Sequence, residues 1–313
     1  MSPLNTLSAQ TPDPITVVLL GTGTPQPDID RFGSSTLVLA GGLTLLFDAG
    51  RGASLRLTQA GIRLGAIDAV FLTHFHSDHT AGLADVYASG YIPGPFGKRQ
   101  AALPLYGPEG VVQLAEGLMT AFEGDRRERA IQSITPESTL LKPHRIGEGL
   151  VFDQNGVKVY AFGTYHHDFA PTYGYRIECQ GHSVVLSGDT AADPRVAHAA
   201  KGCDLLVHEV AAIHESMADN AFFNNVVMKG HTSPEEAAAI FAEARPKLAV
   251  FTHIVQLPGG DVGPSIASIL GRTAAGYDGA VVAGHDLMTI RIGAAGVRVG
   301  TALAPKEAVR TVA

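Results

Sequence analysis

The sequence predicts an α/β fold of the αββα sandwich type, two stacked sheets with helices on both outer faces, as one domain over residues 15–313. Three observations predict it. The chain opens with β-rich, turn-punctuated runs. Its last third alternates buried strands with helices. Its 36 glycines and 45% hydrophobic content, in 313 residues, suit a loop-rich scaffold around a sizeable core.

The elements follow in order. Residues 1–14 are polar and proline-containing and read as a flexible N-terminal segment. Ile15 to Leu20 and Thr36 to Phe47 read as strands, the second broken by a Gly41-Gly42 hairpin turn, so the opening strands are antiparallel. Arg51 to Gln59 reads as a short helix before Ile67 to Leu72 returns to strand. Residues 85–149 are the least regular portion. They hold the loop-like Tyr91-Ile92-Pro93-Gly94-Pro95-Phe96, a strand-like Leu103 to Tyr106 and a helical Gly110 to Phe122. This portion is expected to frame a cleft, while ordinary packing of Tyr87, Tyr91 and Phe96 is an equal reading, and no site role is assigned there. Beyond Val157, Tyr173 to Ile177 and Ser183 to Leu186 read as strands joined at Gly181-His182. Pro194 to Ala200, Pro234 to Ala244 and Ser265 to Thr273 are helical, separated by buried strands at Asp204 to Val210 and Leu248 to Phe251.

Composition narrows the class. A net charge of −7 and a pI near 6.0 give no electrostatic reason to expect nonspecific nucleic-acid binding, although a local basic patch fits within that balance. Cys179 and Cys203 are too few for a disulfide framework and read as buried packing residues. The N-terminal stretch lacks the basic start and apolar centre of a secretory signal, and nothing later is long enough to span a membrane. The expectation is a cytoplasmic protein, with the periplasm as the alternative if Leu7-Ser8-Ala9-Gln10 is the remnant of a removed leader. A homodimer is compatible with the chain.

The chemistry concentrates in His74-Phe75-His76-Ser77-Asp78-His79, directly after the apolar run Ala69-Val70-Phe71-Leu72. Strand period puts His74 and His76 on one face, where both can meet one ion, and Asp78 and His79 project one step farther along. Two adjacent metals follow. Nitrogen with a little carboxylate suits zinc, tolerates iron or manganese, and matches calcium or magnesium poorly.

Thr73-His74-Phe75-His76-Ser77-Asp78-His79-Thr80-Ala81-Gly82-Leu83 resembles the signature of the metallo-β-lactamase superfamily. Leu20-Gly21-Thr22-Gly23-Thr24-Pro25, Phe47-Asp48-Ala49-Gly50, Ser187-Gly188-Asp189-Thr190 and Phe251-Thr252-His253 fall in that family's order, so that about residues 15 to 290 are covered. The opening Gly-Thr-Gly-Thr-Pro, with His208-Glu209 and His231-Thr232-Ser233, looks like the ribonuclease Z and arylsulfatase-like branch.

The resemblance implies the metallo-β-lactamase fold, two Zn²⁺ per chain, and a ligand set. His74, His76, His166 and a bridging Asp189 would hold one metal; Asp78, His79, His253 and Asp189 the other. His166 is preferred to its neighbour His167 because relatives place the ligand five positions before a proline, here Pro171. Two cations about 3.5 Å apart would share a hydroxide that acts as nucleophile. Asp48 is expected to orient a ligand. Asp78, His231 and Glu209 are the candidates for catalytic roles, His231 assisting the leaving group and Glu209 holding its ring. A helix-start role for His231 competes, since Ser233-Pro234-Glu235-Glu236 reads as an N-cap. His144, His182, His198, His208, His214 and His285 are assigned to surface or packing, with His208 close enough to touch the Glu209 network.

The expected activity is metal-dependent hydrolysis of a small phosphodiester or aryl sulfate ester. Relatives that process precursor tRNA carry a tRNA-gripping arm, for which residues 167–188 leave no room, so nucleic acid is disfavoured without being excluded. The alternatives are tRNA 3′ processing, lactone or β-lactam hydrolysis, and an iron-dependent redox role.

Overall fold

The computed structural model describes residues 13–130, 135–167, 171–258 and 263–300. The expectation for residues 1–14 falls, apart from Asp13 and Pro14, outside them. In chain order the elements begin β1 (Ile15–Gly21), β2 (Ser35–Ala40), β3 (Leu43–Phe47), α1 (Ala53–Gln59), β4 (Ala69–Phe71), α2 (Ser77–Thr80), α3 (Leu83–Tyr91), β5 (Leu103–Gly107), α4 (Val111–Ala121) and α5 (Glu123–Ala130). They continue with β6 (Leu141–Arg145), β7 (Gly149–Gln154), β8 (Val157–Thr164), β9 (Thr172–Cys179), β10 (His182–Leu186), α6 (Pro194–Ala200) and β11 (Leu205–Ile213). The chain ends through α7 (Pro234–Ala244), β12 (Leu248–Leu257), α8 (Ile266–Ala274), β13 (Val281–Ala283), β14 (Met288–Gly293) and β15 (Gly296–Gly300).

Two sheets form, an eight-stranded one in the order β15-β14-β1-β2-β3-β4-β5-β6 and a seven-stranded one in the order β13-β12-β11-β10-β9-β8-β7. Strand alternation sorts their apolar side chains into layers. Val17, Leu45, Phe71, Tyr175, Val207 and Val250 meet between the sheets. Val18, Leu46 and Val70 face outward onto α1, α3 and α4, while Val185, Leu206 and Ala249 face outward onto α6, α7 and α8. The αββα expectation therefore holds, and each sheet is buried on both faces by its own alternation.

Local chemistry sets the boundaries. Gly41 and Gly42 adopt φ of 54° and 87°, the left-handed pair that a two-residue hairpin between β2 and β3 requires. Ser233 closes a reciprocal capping box with Glu236, and Pro234 supplies the first position of α7. Four elements differ from expectation. β11 and β12 run past Val210 and Phe251 because polar Glu209 and His253 sit inside the strands and interrupt the apolar pattern. His182 pairs with Cys179 inside β10, so the turn is Gln180-Gly181. Leu83–Tyr91 is helical, a pattern diluted in the sequence by Ser89 and Gly90; Tyr87 and Tyr91 are fully buried, whereas Phe96 is exposed.

Both sheets contain a parallel half, β3-β4-β5-β6 in one and β10-β11-β12-β13 in the other. Open α/β sheets place their sites beyond the carboxyl ends of such strands. Cys179 and Cys203 are free and buried, and no described helix is long and apolar enough to cross a membrane.

Phe71 sits at the centre, stacked at 4.8 Å on both Phe47 and Tyr106 and edge-on to Tyr175. Phe71→Ala is expected to lower the unfolding free energy by about 3–5 kcal/mol in chemical denaturation.

Candidate metal centre

Each candidate ligand except His253 is delivered by the end of a strand or by a turn next to one. β4 leads into His74 and His76, and the single-turn helix α2 then swings Asp78 and His79 to the same side. Asp189 follows β10 through Gly188, whose φ of 62° reverses the chain. His166 follows β8. His253 lies within β12 at a register shift: Glu209 pairs with Thr252 and Val210 with Ile254, leaving His253 as the extra residue of a bulge with φ of 42°. Left-handed backbone is uncommon for non-glycine residues, yet Asp48 (φ 55°), His167 (61°) and His253 all adopt it here.

The donors fall into overlapping groups. His74, His76, His166 and Asp189 form one, and Asp78, His79, His253 and Asp189 a second, the donor atoms of each lying within 4.8 Å of one another. Asp189 joins them. Its Oδ2 lies 3.9 Å from Nε2 of both His74 and His166 and 3.2 Å from Nε2 of His253, and its Oδ1 lies 3.3 Å from Nε2 of His79. Asp78 Oδ2 is 3.0 Å from His253 Nε2 and 3.6 Å from His79 Nε2.

Hydrogen bonds on the far side of the rings decide which nitrogen faces inward. Asp48 accepts the Thr73 backbone N–H and hydroxyl, both at 2.8 Å, and the His79 Nδ1–H at 2.7 Å. Since the Thr73 hydroxyl donates to Asp48, its lone pair accepts Nδ1–H of His74 at 2.9 Å. Gly230 O accepts Nδ1–H of His166 at 2.6 Å. In His74 and His166 this leaves Nε2 as a lone pair turned toward Asp189, and it turns Nε2 of His79 toward Asp189 and Asp78.

Such an arrangement fits a cation and little else. Among the buried side-chain atoms without a hydrogen-bond partner are His74 Nε2, His79 Nε2, Asp78 Oδ1, Asp189 Oδ1 and His253 Nδ1. Orphaned acceptors at this density cost free energy unless an ion satisfies them. Electrostatics agree. Burial drives His74 well below its ordinary range and His166 down to about 4, so both are neutral and able to ligate. Burial opposes charge on Asp189, yet the His253 and His79 rings outweigh it and hold the carboxyl well below its usual range. His79 is the counter-case. Burial lowers it, but Asp189 and Asp48 more than offset this and raise it well above 6.5, so a cation there competes with a proton.

Beside this cluster stands a third group, Glu209, His231 and His253. Glu209 Oε1 accepts His231 Nδ1–H at 3.0 Å, Thr190 N–H at 3.1 Å and Thr232 N–H at 3.2 Å, tying the Asp189 turn to the His231 segment. The His231 ring stacks 5.5 Å from His253 and lies 4.9 Å from His166. Burial works against its charge, but Glu209 outweighs burial and raises the imidazolium to about 9. A protonated ring with Nδ1 engaged and Nε2 available can donate a proton at neutral pH.

The structure brings all the candidate ligands together and also separates the neighbours His166 and His167. The left-handed φ of His167 turns its ring over Gly230, where a Cβ would come within 2.4 Å of Nε2, so His166 alone joins the donors. Elsewhere His144 stacks on Tyr106, His182 pairs with Asp204, and His214 accepts the Ser216 N–H. His208 is buried against Phe241, opposite Glu209 on the strand, and touches it only through the backbone carbonyl. Sequence reasoning missed Thr73, Gly230 and Tyr175, whose hydroxyl holds the Leu72 carbonyl at 2.6 Å just before the ligand loop. Only contacts across the fold reveal them. A cavity of about 1170 Å³ opens near Gly41-Gly42 and is lined by none of the candidate ligands, so donor chemistry identifies this site where cavity volume does not.

A family model described as a beta-lactamase superfamily domain matches residues 44–254. The chain is 38% identical to the ribonuclease Z of Mycobacterium marinum over 244 residues, 77% of this chain and 86% of that one. It is 36% identical to the ribonuclease Z of Mycobacterium bovis over 282 residues, 88% of this chain and 98% of that one. Among solved structures, the metallo-β-lactamase fold protein YhfI of Bacillus subtilis superposes with a TM-score of 0.70 at 20% identity, covering 92% of this chain and all of that one.

Two outcomes test the centre. Asp189→Ala is expected to reduce bound metal from two ions to one or none by elemental analysis. Chelator treatment of the native protein is expected to lower its stability by about 4 kcal/mol for each site emptied, relative to protein in metal at 1,000 times that site's dissociation constant.

Proposed function

This chain belongs to the metallo-β-lactamase superfamily, and from that membership we propose that it is a dinuclear metal-dependent phosphodiesterase of the ribonuclease Z kind, acting at the 3′ side of precursor tRNA. The coarse class, a hydrolase of this superfamily, follows from the relatives; the substrate is the proposal. The observation that carries it is the Glu209–His231 pair set against the donor groups, a proton donor placed beside a site for two cations.

Relatives at 36–38% identity favour the phosphodiester side of the expectation over aryl sulfate, and they favour RNA, which the sequence alone disfavoured. Both arguments against RNA weaken on inspection of particular residues. The Mycobacterium bovis relative is matched over 98% of its length by 282 residues, so it too leaves no room for a long arm. Net charge is a sum over the whole surface, whereas phosphates are held locally. Arg51 and Lys229 are exposed and adjoin the Asp48 and His231 segments.

When bound, two cations at these groups would supply Lewis acidity, making water nucleophilic near neutral pH and neutralising charge on the phosphoryl oxygens. The residues of the chain do the rest. His74, His76, His166, Asp78, His79, His253 and Asp189 would hold the ions, with the inward nitrogens of His79, His74 and His166 set by Asp48, Thr73 and Gly230. His231 gives a proton from Nε2 to the leaving alkoxide, and Glu209, accepting at Nδ1, keeps the ring oriented and stabilises its charge.

His231→Ala is expected to lower turnover of precursor tRNA by about 10²–10⁴-fold with metal content unchanged, measured in a gel cleavage assay beside elemental analysis. Wild-type turnover in that variant would remove His231 from the mechanism. Failure of metal-replete protein to cut precursor tRNA, with brisk turnover of an aryl sulfate, lactone or β-lactam, would overturn the substrate assignment.

A further inference from the structure

The Leu20-Gly21-Thr22-Gly23-Thr24-Pro25 motif contributes no donor to the metal centre, and its surroundings explain why it stands where it does. Asp286, in the turn between β13 and β14, has a side chain only 4% exposed. One carboxylate collects five donor contacts. Oδ1 accepts the Thr22 backbone N–H and hydroxyl, both at 2.9 Å. Oδ2 accepts the Phe32 N–H at 2.8 Å and Nε of Arg56 at 3.0 Å, with Nη2 of Arg56 also at 3.0 Å. The Arg56 guanidinium lies 4.1 Å over the Phe32 ring. Arg31 adds a second tie, donating from Nη1 to the Thr22 hydroxyl at 2.8 Å and to Gly284 O at 3.0 Å.

These ties converge on the bulge that presents His253. On the β13 side of β12 the ladder bond from the Gly284 N–H to Phe251 O, at 2.7 Å, is the last before the bulge, and beyond it the Ile254 N–H is taken by Thr22 O at 3.2 Å. Thr22 thus takes over from β13 on the far side of His253. Gly21 and Gly23 permit the approach: a Cβ on either would lie 2.0–2.3 Å from the carbonyl oxygens of Gly33 and Arg31.

We propose that Asp286 is a positioning residue for the second metal site, a latch that clamps Thr22 against β12 and so holds His253 in its bulged, left-handed conformation. The inference rests on the dinuclear reading of the centre. Asp286 touches no candidate ligand and acts through Thr22 and the Ile254 backbone. Substitutions of residues that orient metal ligands typically cost about ten- to a hundredfold in metal affinity. The latch predicts that this loss falls on the site that contains His253 and spares the one built from His74, His76 and His166.

The test is Zn²⁺ titration of full-length wild-type, Asp286→Asn and Thr22→Val proteins against a competing chelator, with amide hydrogen exchange read by mass spectrometry. Asp286→Asn is expected to take up its first ion normally and its second about ten- to a hundredfold more weakly, with faster exchange confined to residues 248–257 and the loop around Thr22. Thr22→Val keeps the carboxylate and loses only the hydroxyl bonds, so it carries the test even if Asp286→Asn does not fold; a smaller shift in the same direction is expected. Two ions at wild-type affinity in the folded variants, whatever their melting temperatures, would overturn the latch and leave the dinuclear centre standing. Wild-type protein that takes up fewer than two ions would overturn the dinuclear reading, and the latch's role in it would fall as well.

Discussion

A buried carboxylate facing imidazole lone pairs is the constraint around which this molecule is organised. Asp189 is buried and has both oxygens turned toward histidine nitrogens at 3.2–3.9 Å. Without a cation, the neutral His74 and His166 rings would face it acceptor to acceptor at low dielectric, and the cost would fall on folding itself. The surrounding chemistry accepts that cost. Asp48, Thr73 and Gly230 direct Nε2 of three histidines inward, the opposite of what a structure without an ion would select.

The sandwich exists to hold these groups steady. Its two sheets meet through an apolar layer, and the carboxyl ends of β4 in one sheet and of β10 in the other lie across that layer from each other. Side chains leave the alternation imposed by the pleat at a strand end or at a bulge, and the left-handed residues Asp48, just past β3, and His253, within β12, do so. Each exception has its own support. Asp48 is fixed by the Thr73 and His79 bonds that it accepts, and the His253 bulge by Thr22 from outside the sheet. Glu209 completes the pattern by joining the Asp189 turn to the His231 segment through a single oxygen.

Much of this was legible in the chain. The hairpin at Gly41-Gly42, the capped start of α7 and the alternation of strand with helix in the last third are local patterns, and local patterns survive being read one residue at a time. The His74 to His79 cluster was legible because four of its six residues, His74, His76, Asp78 and His79, are metal-ligating types at short spacing. Less legible were the ends of β11 and β12, where functional polar residues inside the strands broke the apolar run, and the helix Leu83–Tyr91, where glycine and serine thinned it. RNA was disfavoured because residues 167–188 leave no room for an arm, and net charge gave no counterweight, since a sum over the surface conceals where Arg51 and Lys229 stand.

The sequence by itself determined the fold class and pointed to the candidate donors, because hydrophobic periodicity and ligand chemistry are properties of residue type and short spacing. Only the tertiary structure decided which neighbour joins the donor group at His166-His167, that His253 leaves its ladder, and that Asp286 stands over Thr22 from the far end of the chain. Those choices depend on backbone dihedrals and on contacts between segments hundreds of residues apart. No local pattern encodes them, since a partner that completes a hydrogen bond can come from anywhere that packing brings it.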